Sequence, residues 1–405
     1  MKKLHPFRLH YRTFGKKPEH SEVDMKKRHK IFYKLLQPLV RIYLKLKFAY
    51  RYKKPTDLPQ NYIVLSNHAT DYDPIFLGVA FPRQMYFVAS EHITRFGRLY
   101  GLLNYVFAPI VRYKGTIAAS TVIDIMRKTK RGGNVCIFAE GARTWDGVTS
   151  KIHPSTAKLV KAAGCGLVTF KLSGGYFASP MWSGSKNTRK GRVYGECVHT
   201  FTREEVEKMS DDELLKIIES DLYENAYERQ KAAPVRYKGR NLAIGLERLI
   251  FKCPVCSAYD SITSHANSAS CSECKTVISY NEYGMLSGLP FDTLLELSDW
   301  QKDEVIKDAE KGAVYSSEAA QLFRIENHEP SLVDEGELSL SCSELTCGKT
   351  SFDTGKIPDL SMHGNNCLVF IADGAYYEIK LPVGLNAYKY MLFFSALKKN
   401  TSEVN

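Results

Sequence analysis

With 405 residues, 44% of them hydrophobic and 12% aromatic, the chain holds enough apolar side chain for a large core shared among several domains, which excludes a disordered or fibrous protein. The formal charge is +12, yet residues 1–54 hold 17 of the 56 Lys and Arg and three of the 44 acids, leaving 39 against 41 elsewhere. The basic character therefore belongs to the N-terminal arm alone, and the rest of the chain carries no excess positive charge for nucleic acid.

The arm begins MKKLHPFRLHYRTFGKKPEH, basic but without the apolar run of a secretory signal. No segment reaches the roughly 18 apolar residues of a spanning helix, so the expected place is the cytoplasm. Ten cysteines there are expected reduced or metal-bound. Cys136, Cys165, Cys197, Cys342, Cys347 and Cys367 are scattered and read as small buried apolar residues.

Residues 29–52 place Lys30, Lys34, Gln37, Arg41 and Lys45 on one polar stripe of an otherwise apolar helix. Such a helix suits an anionic lipid surface, or packs on its own domain. Pro38 is predicted to kink or divide it. From Pro55, β-favouring runs at 62–66, 85–89, 108–113, 135–139 and 167–172 alternate with helical stretches, and a sixth run covers 192–200. That alternation predicts an α/β domain over 55–232, with SDDE at 210–213 opening a helix by its capping-box spacing.

A basic linker leads into a cysteine module, the two together covering 233–290. Cys253, Cys256, Cys271 and Cys274 form C-x2-C-x14-C-x2-C, the spacing of a zinc ribbon with structural Zn2+; two disulfides or a redox pair are the alternatives. The only basic residue between 253 and 290 is Lys275, which disfavours nucleic acid as partner. Residues 291–405 predict a helix capped by Asp292, then short alternating strands over 335–383 and a closing helix. Their order resembles a pleckstrin-homology-like module.

The residues that suggest chemistry stand at strand ends, where open α/β sheets gather ligands. His68 follows the first strand in LSNHATDYDP, Arg112 ends the 108–113 run, and Glu140-Gly141-Ala142-Arg143 follows the 135–139 run. Asp73, before Pro74, is placed to cap the next helix. A turn would instead bring it to one imidazole nitrogen of His68, freeing the other as a base, with Asp71 a rival partner. Gly141 permits close backbone approach, and Arg143 and Arg112 offer guanidinium groups for phosphate or for surface ion pairs.

NHATDYD (67–73) fits the NH-x4-D signature of the PlsC-like glycerolipid acyltransferases, FAEGART (138–144) resembles their FPEGTR-type block, and APIVRYKG (108–115) stands where they carry an arginine. The resemblance spans about residues 30–230. It implies His68 as the base that deprotonates an acceptor hydroxyl, Asp73 as its support, and Arg112, Glu140, Gly141 and Arg143 as the acceptor-phosphate site. It further implies acyl-CoA or acyl-carrier protein as donor, and amphipathic helices within residues 1–54 resting on the cytoplasmic face of the cell membrane. Lysophosphatidic acid is the expected acceptor, with glycerol 3-phosphate, another lysophospholipid or a catalytically silent membrane adaptor as alternatives. Ala139 and Ala142 depart from the family's proline and threonine, which bears on the acceptor rather than the chemistry. No G-x-S-x-G elbow occurs, so a covalent serine is not expected.

Overall fold

A computed structural model describes residues 27–112, 119–184, 186–326, 329–382 and 384–403. Residues 1–26 of the basic arm and the YKG of APIVRYKG lie outside them. Helix α1 (Lys27–Phe48) is unbroken: Pro38 sits inside it at an exposed position, contrary to the expected division. Loss of one backbone bond is least costly where water can take the freed carbonyl. Gln37 also departs from the expected stripe. Its amide turns inward and donates to the carbonyls of Gly78 (3.2 Å), Val79 (3.2 Å) and Phe81 (2.8 Å). One side chain thereby satisfies the orphan carbonyls that end the next helix.

The α/β domain continues with β1 (Arg51–Tyr52), β2 (Tyr62–Ser66), α2 (Asp73–Ala80), β3 (Met85–Ser90), α3 (Arg98–Phe107), β4 (Ile110–Arg112), α4 (Ala119–Lys130) and β5 (Asn134–Phe138). It closes with α5 (Ser155–Ala162), β6 (Gly166–Ser173), α6 (Gly175–Ala178), β7 (Tyr194–Phe201), α7 (Arg203–Lys208), α8 (Asp211–Leu222) and α9 (Ala226–Ala232). Seven strands form one sheet in the order β1-β7-β6-β2-β5-β3-β4, parallel except for β6 against β7. Strand β2 is central and wholly buried because both faces are covered. Tyr62 and Val64 join a core with Leu44, Phe48, Phe76 and Phe170, while Ile63 and Leu65 join Val160, Leu214 and Ile218 on the other side. Ser210 accepts from the Glu213 amide, as the SDDE spacing predicts, and Thr202 with Glu205 makes a full capping box that the sequence reading passed over.

Beyond α9 the cysteine module is a four-stranded antiparallel sheet, β8 (Ile262–His265), β9 (Ser268–Cys271), β10 (Val277–Tyr280) and β11 (Leu286–Ser287). Helix α10 (Leu294–Glu310) follows, capped by Thr293 rather than Asp292: its hydroxyl accepts from Glu296 N while Glu296 reaches back. The last sheet has seven antiparallel strands and starts earlier than expected, with β12 (Tyr315–Glu326) and β13 (Glu329–Leu340). After these come β14 (Glu344–Cys347), β15 (Thr350–Asp353), β16 (Leu360–His363), β17 (Cys367–Ala372), β18 (Ala375–Lys380) and the closing helix α11 (Tyr388–Glu403). The α1–α2 face of the first domain, the cysteine module and this C-terminal sheet share one continuous buried cluster.

Candidate active site and metal centre

Strands β2 and β5 are hydrogen-bonded neighbours, Ser66 opposite Phe138, so the segments leaving their carboxyl ends emerge side by side. Asn67 fixes the first of them. Its amide donates to Leu172 O and its carbonyl accepts from Leu172 N, both at 2.8 Å, tying the strand end to β6. The chain then turns, and His68 Nδ1 meets Asp73 Oδ2 at 2.8 Å.

The same Asp73 oxygen accepts from the amides of Ala69 (2.7 Å) and Thr70 (2.9 Å). Asp73 is fully buried and is not the cap of α2; Tyr72 holds that position without a side-chain bond. The carboxylate that could have capped its own helix is turned back to hold the imidazole. Asp71 is no rival, since it pairs with Arg143 Nη1 at 2.8 Å. An ionised carboxylate can only accept, so Nδ1 carries the proton and Nε2 is the basic nitrogen. The ring stacks on Phe138 at 4.1 Å and lines a small cavity with Asn67, Glu140, Thr144, Thr149 and Glu224.

Glu140 does something other than face a substrate. One oxygen accepts from His68 N and the other from Ser150 N, both at 2.6 Å, so the carboxyl bridges two backbone segments. Burial pushes it up to about 8, against the pull of those two amides. Gly141 has φ +74°, and Arg112 Nη1 lies 3.4 Å from where a Cβ would stand. The absent side chain leaves room for that guanidinium at the β5 end, and Arg112 itself is exposed.

Residues 49–173, from the end of α1 to the end of β6, match the family model Acyltransferase. The chain carries an acyltransferase-family domain. No curated protein gives a match. Among solved structures, the 1-acyl-sn-glycerophosphate (LPA) acyltransferase PlsC from Thermotoga maritima is similar at 17% identity, over 53% of this chain and 85% of that one, with a TM-score of 0.42.

All the residues singled out at strand ends therefore fall within the acyltransferase domain, and His68, Asp73, Glu140, Gly141, Arg112, Arg143 and Asp71 gather at one end of its sheet. Sequence reading missed Asn67, Thr144 and Ser150. Asn67 stands beside His68 in the same motif, and an amide ending a buried strand is a signal that could have been read. The backbone donors of Thr144 and Ser150 leave no trace in residue type.

Outside the acyltransferase domain, the four cysteine sulfurs lie within 4.8 Å of one another. Cys253 and Cys274 approach to 3.8 Å, Cys256 and Cys271 to 3.7 Å. These are too long for disulfides at about 2.05 Å. They match the edge of about 3.8 Å that a tetrahedron with metal–sulfur arms of about 2.3 Å must have, so the donor set fits an ion such as Zn2+.

Proposed function

We propose that the protein moves a fatty acyl group from acyl-CoA or acyl-carrier protein to the free hydroxyl of lysophosphatidic acid, giving phosphatidic acid at a membrane surface. The observation that carries this reading is the His68–Asp73 bond inside an acyltransferase-family domain. Nε2 of His68 takes the hydroxyl proton as the acceptor oxygen attacks the thioester carbonyl. The tetrahedral intermediate then collapses, the carbon–sulfur bond breaks, and the leaving thiolate takes the proton from the imidazolium, which Asp73 stabilises meanwhile. A thioester is already activated, so a base and positioning suffice.

Arg143 and Arg112 supply the charge for the acceptor phosphate. Arg143 is held by Asp71, whose carboxylate is half exposed and exchangeable for phosphate oxygens. Glu140 shapes this site from behind by fixing the His68 backbone.

Membrane contact is supported by two helices. On α1, Ile31, Leu35, Leu39, Ile42 and Leu46 recur along one face and are all more than half exposed, beside the exposed row Lys30, Lys34, Arg41 and Lys45. Leu99, Leu102 and Tyr105 of α3 extend the apolar surface, joined to α1 by the Phe32–Tyr105 ring contact at 6.3 Å. No helix among the described residues is long and apolar enough to cross a membrane; the exposed apolar face beside a basic row supports peripheral contact with the cytoplasmic leaflet. Zn2+ in the cysteine site has four protein ligands and would hold the module's fold. Seven antiparallel strands followed by α11 support, by element order alone, a pleckstrin-homology-like reading of the last module.

The test is a transfer assay with purified protein and lipid vesicles, offering acyl-CoA and acyl-carrier protein against lysophosphatidic acid, glycerol 3-phosphate and other lysophospholipids. Phosphatidic acid from lysophosphatidic acid is expected, with kcat falling about 100-fold or more in His68→Ala. Product from a different acceptor alone would reassign the substrate. No product from any pair would leave a membrane adaptor.

A further inference from the structure

Between β5 and α5, residues 144–150 form a turn that touches the His68 site at both ends. Thr144 N donates to His68 O at 3.0 Å, and Ser150 N donates to Glu140 at 2.6 Å. The turn is built around Asp146, whose Oδ1 accepts from Thr144 Oγ1 and Val148 N, both at 3.2 Å. Gly147 has φ +92°, and a Cβ there would stand 2.9 Å from the Tyr176 ring, so the turn has little room to take another path.

Thr149 and the backbone of 147–149 tie the turn to residues 222–226, and two further side chains reach from it to the C-terminal helices. Asp146 Oδ2 accepts from Lys302 Nζ of α10 at 2.7 Å. Trp145 stacks on Tyr388 of α11, ring centroids 4.7 Å apart and planes at 21°. Helices α10 and α11 pack on each other, so the two contacts share one support. We infer that Lys302 is a positioning residue for acyl transfer: with the Trp145–Tyr388 stack it braces the 144–150 turn from the C-terminal helices, and the turn holds the His68 backbone and Glu140 in their working places.

Two physical points favour Lys302 as the adjustable contact. Partial burial pulls its ammonium down, but Asp146 and Asp299 outweigh this and leave it above the usual lysine range, so the brace stays charged at any working pH. The Lys302 side chain is also 38% exposed, against 13% for Asp146, so water reaches the lysine end of the pair and tempers what the pair adds to global stability. Its removal is therefore expected to loosen the turn without unfolding the chain. The Tyr388 contact is fully buried and lacks this advantage.

The inference rests on His68 being the transfer base, and its test separates the two. Full-length Lys302→Ala and Lys302→Arg are compared with wild type, first by amide hydrogen exchange and then by transfer kinetics. Exchange over 144–150 is expected to rise about tenfold or more in Lys302→Ala, with β5 unchanged and Lys302→Arg close to wild type. The kcat is expected to fall about tenfold while KM for the donor stays within about twofold, because a displaced turn misplaces the base rather than the thioester. Unchanged exchange overturns the brace whatever the activity. Faster exchange with an unchanged kcat overturns the positioning role. A wild-type chain that transfers to no acceptor overturns the reading of His68 and the positioning role with it, while exchange still decides whether Lys302 holds the turn.

Discussion

At the scale of single residues, the site depends on carboxylates that forgo their ordinary partners. Asp73 opens α2 but serves two upstream amides and His68, and Glu140 spends both oxygens on backbone N–H groups. Glu140 gives a pH prediction. Its carboxyl titrates near 8 when folded and near 4.5 when unfolded, so between those values the folded chain binds the extra proton and stability falls as pH rises. Each unit of such a shift corresponds to about 1.4 kcal/mol, and the opening of Glu140 onto the cavity reduces the amount realised. Glu140→Gln stays neutral and is expected to flatten the decline in melting temperature between pH 5 and pH 8. A variant with the wild-type slope would assign that pH dependence to other groups. Much of this was legible in the sequence: His68, Asp73, Glu140 and Arg143 stood out as polar residues after buried runs. The partner of each was not, because four residues separate His68 from Asp73 and only the turn's dihedrals decide whether they meet.

At the scale of elements, strands were read more faithfully than helix ends. Runs at 62–66 and 85–89 match β2 and β3 to within a residue; β2 is buried on both faces and so reads as a continuous apolar run, and β3 is buried at Met85 and Tyr86 and half-buried beyond. Helix starts turn on local competition: at α10, Asp292 and Thr293 could both cap, and Thr293 wins because only it stands three residues before Glu296. In α1, Gln37 looked like one more polar residue at the right spacing, and its use by the carbonyls ending α2 depends on packing that periodicity cannot see. The exposed row of α1 makes its own prediction. Replacing Leu35 and Leu39, 63% and 65% exposed, by Asp is expected to abolish binding to anionic vesicles in a sedimentation assay and leave the melting temperature within about 2 °C, as for other exposed sites. Retained binding would move the lipid contact elsewhere.

At the scale of the whole molecule, the separate domains suggested by composition share their interior. The buried cluster runs from Phe48 and Phe170 through Trp182 and Phe251 to Leu297, Leu322 and Phe393. Arg189 marks the joint: almost fully buried, it donates to the carbonyls of Phe177 and Leu242 and lies over the rings of Trp182 and Tyr280. Sequence reading showed each module's boundary signals but not this fusion, because long-range contacts between modules leave no periodic pattern. Metal removal is therefore expected to be felt beyond the cysteines. Stripping the ion with a chelator should release one equivalent of Zn2+ and lower the melting temperature of the whole chain by more than about 5 °C. A chain that melts identically with and without chelator, and releases no metal, would refute the metal site.

If the proposed lipid contact through the exposed apolar face shared by α1 and α3 holds, it has a kinetic corollary. An enzyme held flat on a leaflet meets its lipid acceptor in two dimensions, so its turnover follows the mole fraction of acceptor in the surface rather than its bulk concentration. Diluting lysophosphatidic acid with inert phospholipid at constant total acceptor would then slow the reaction, although nothing in the surrounding water had changed.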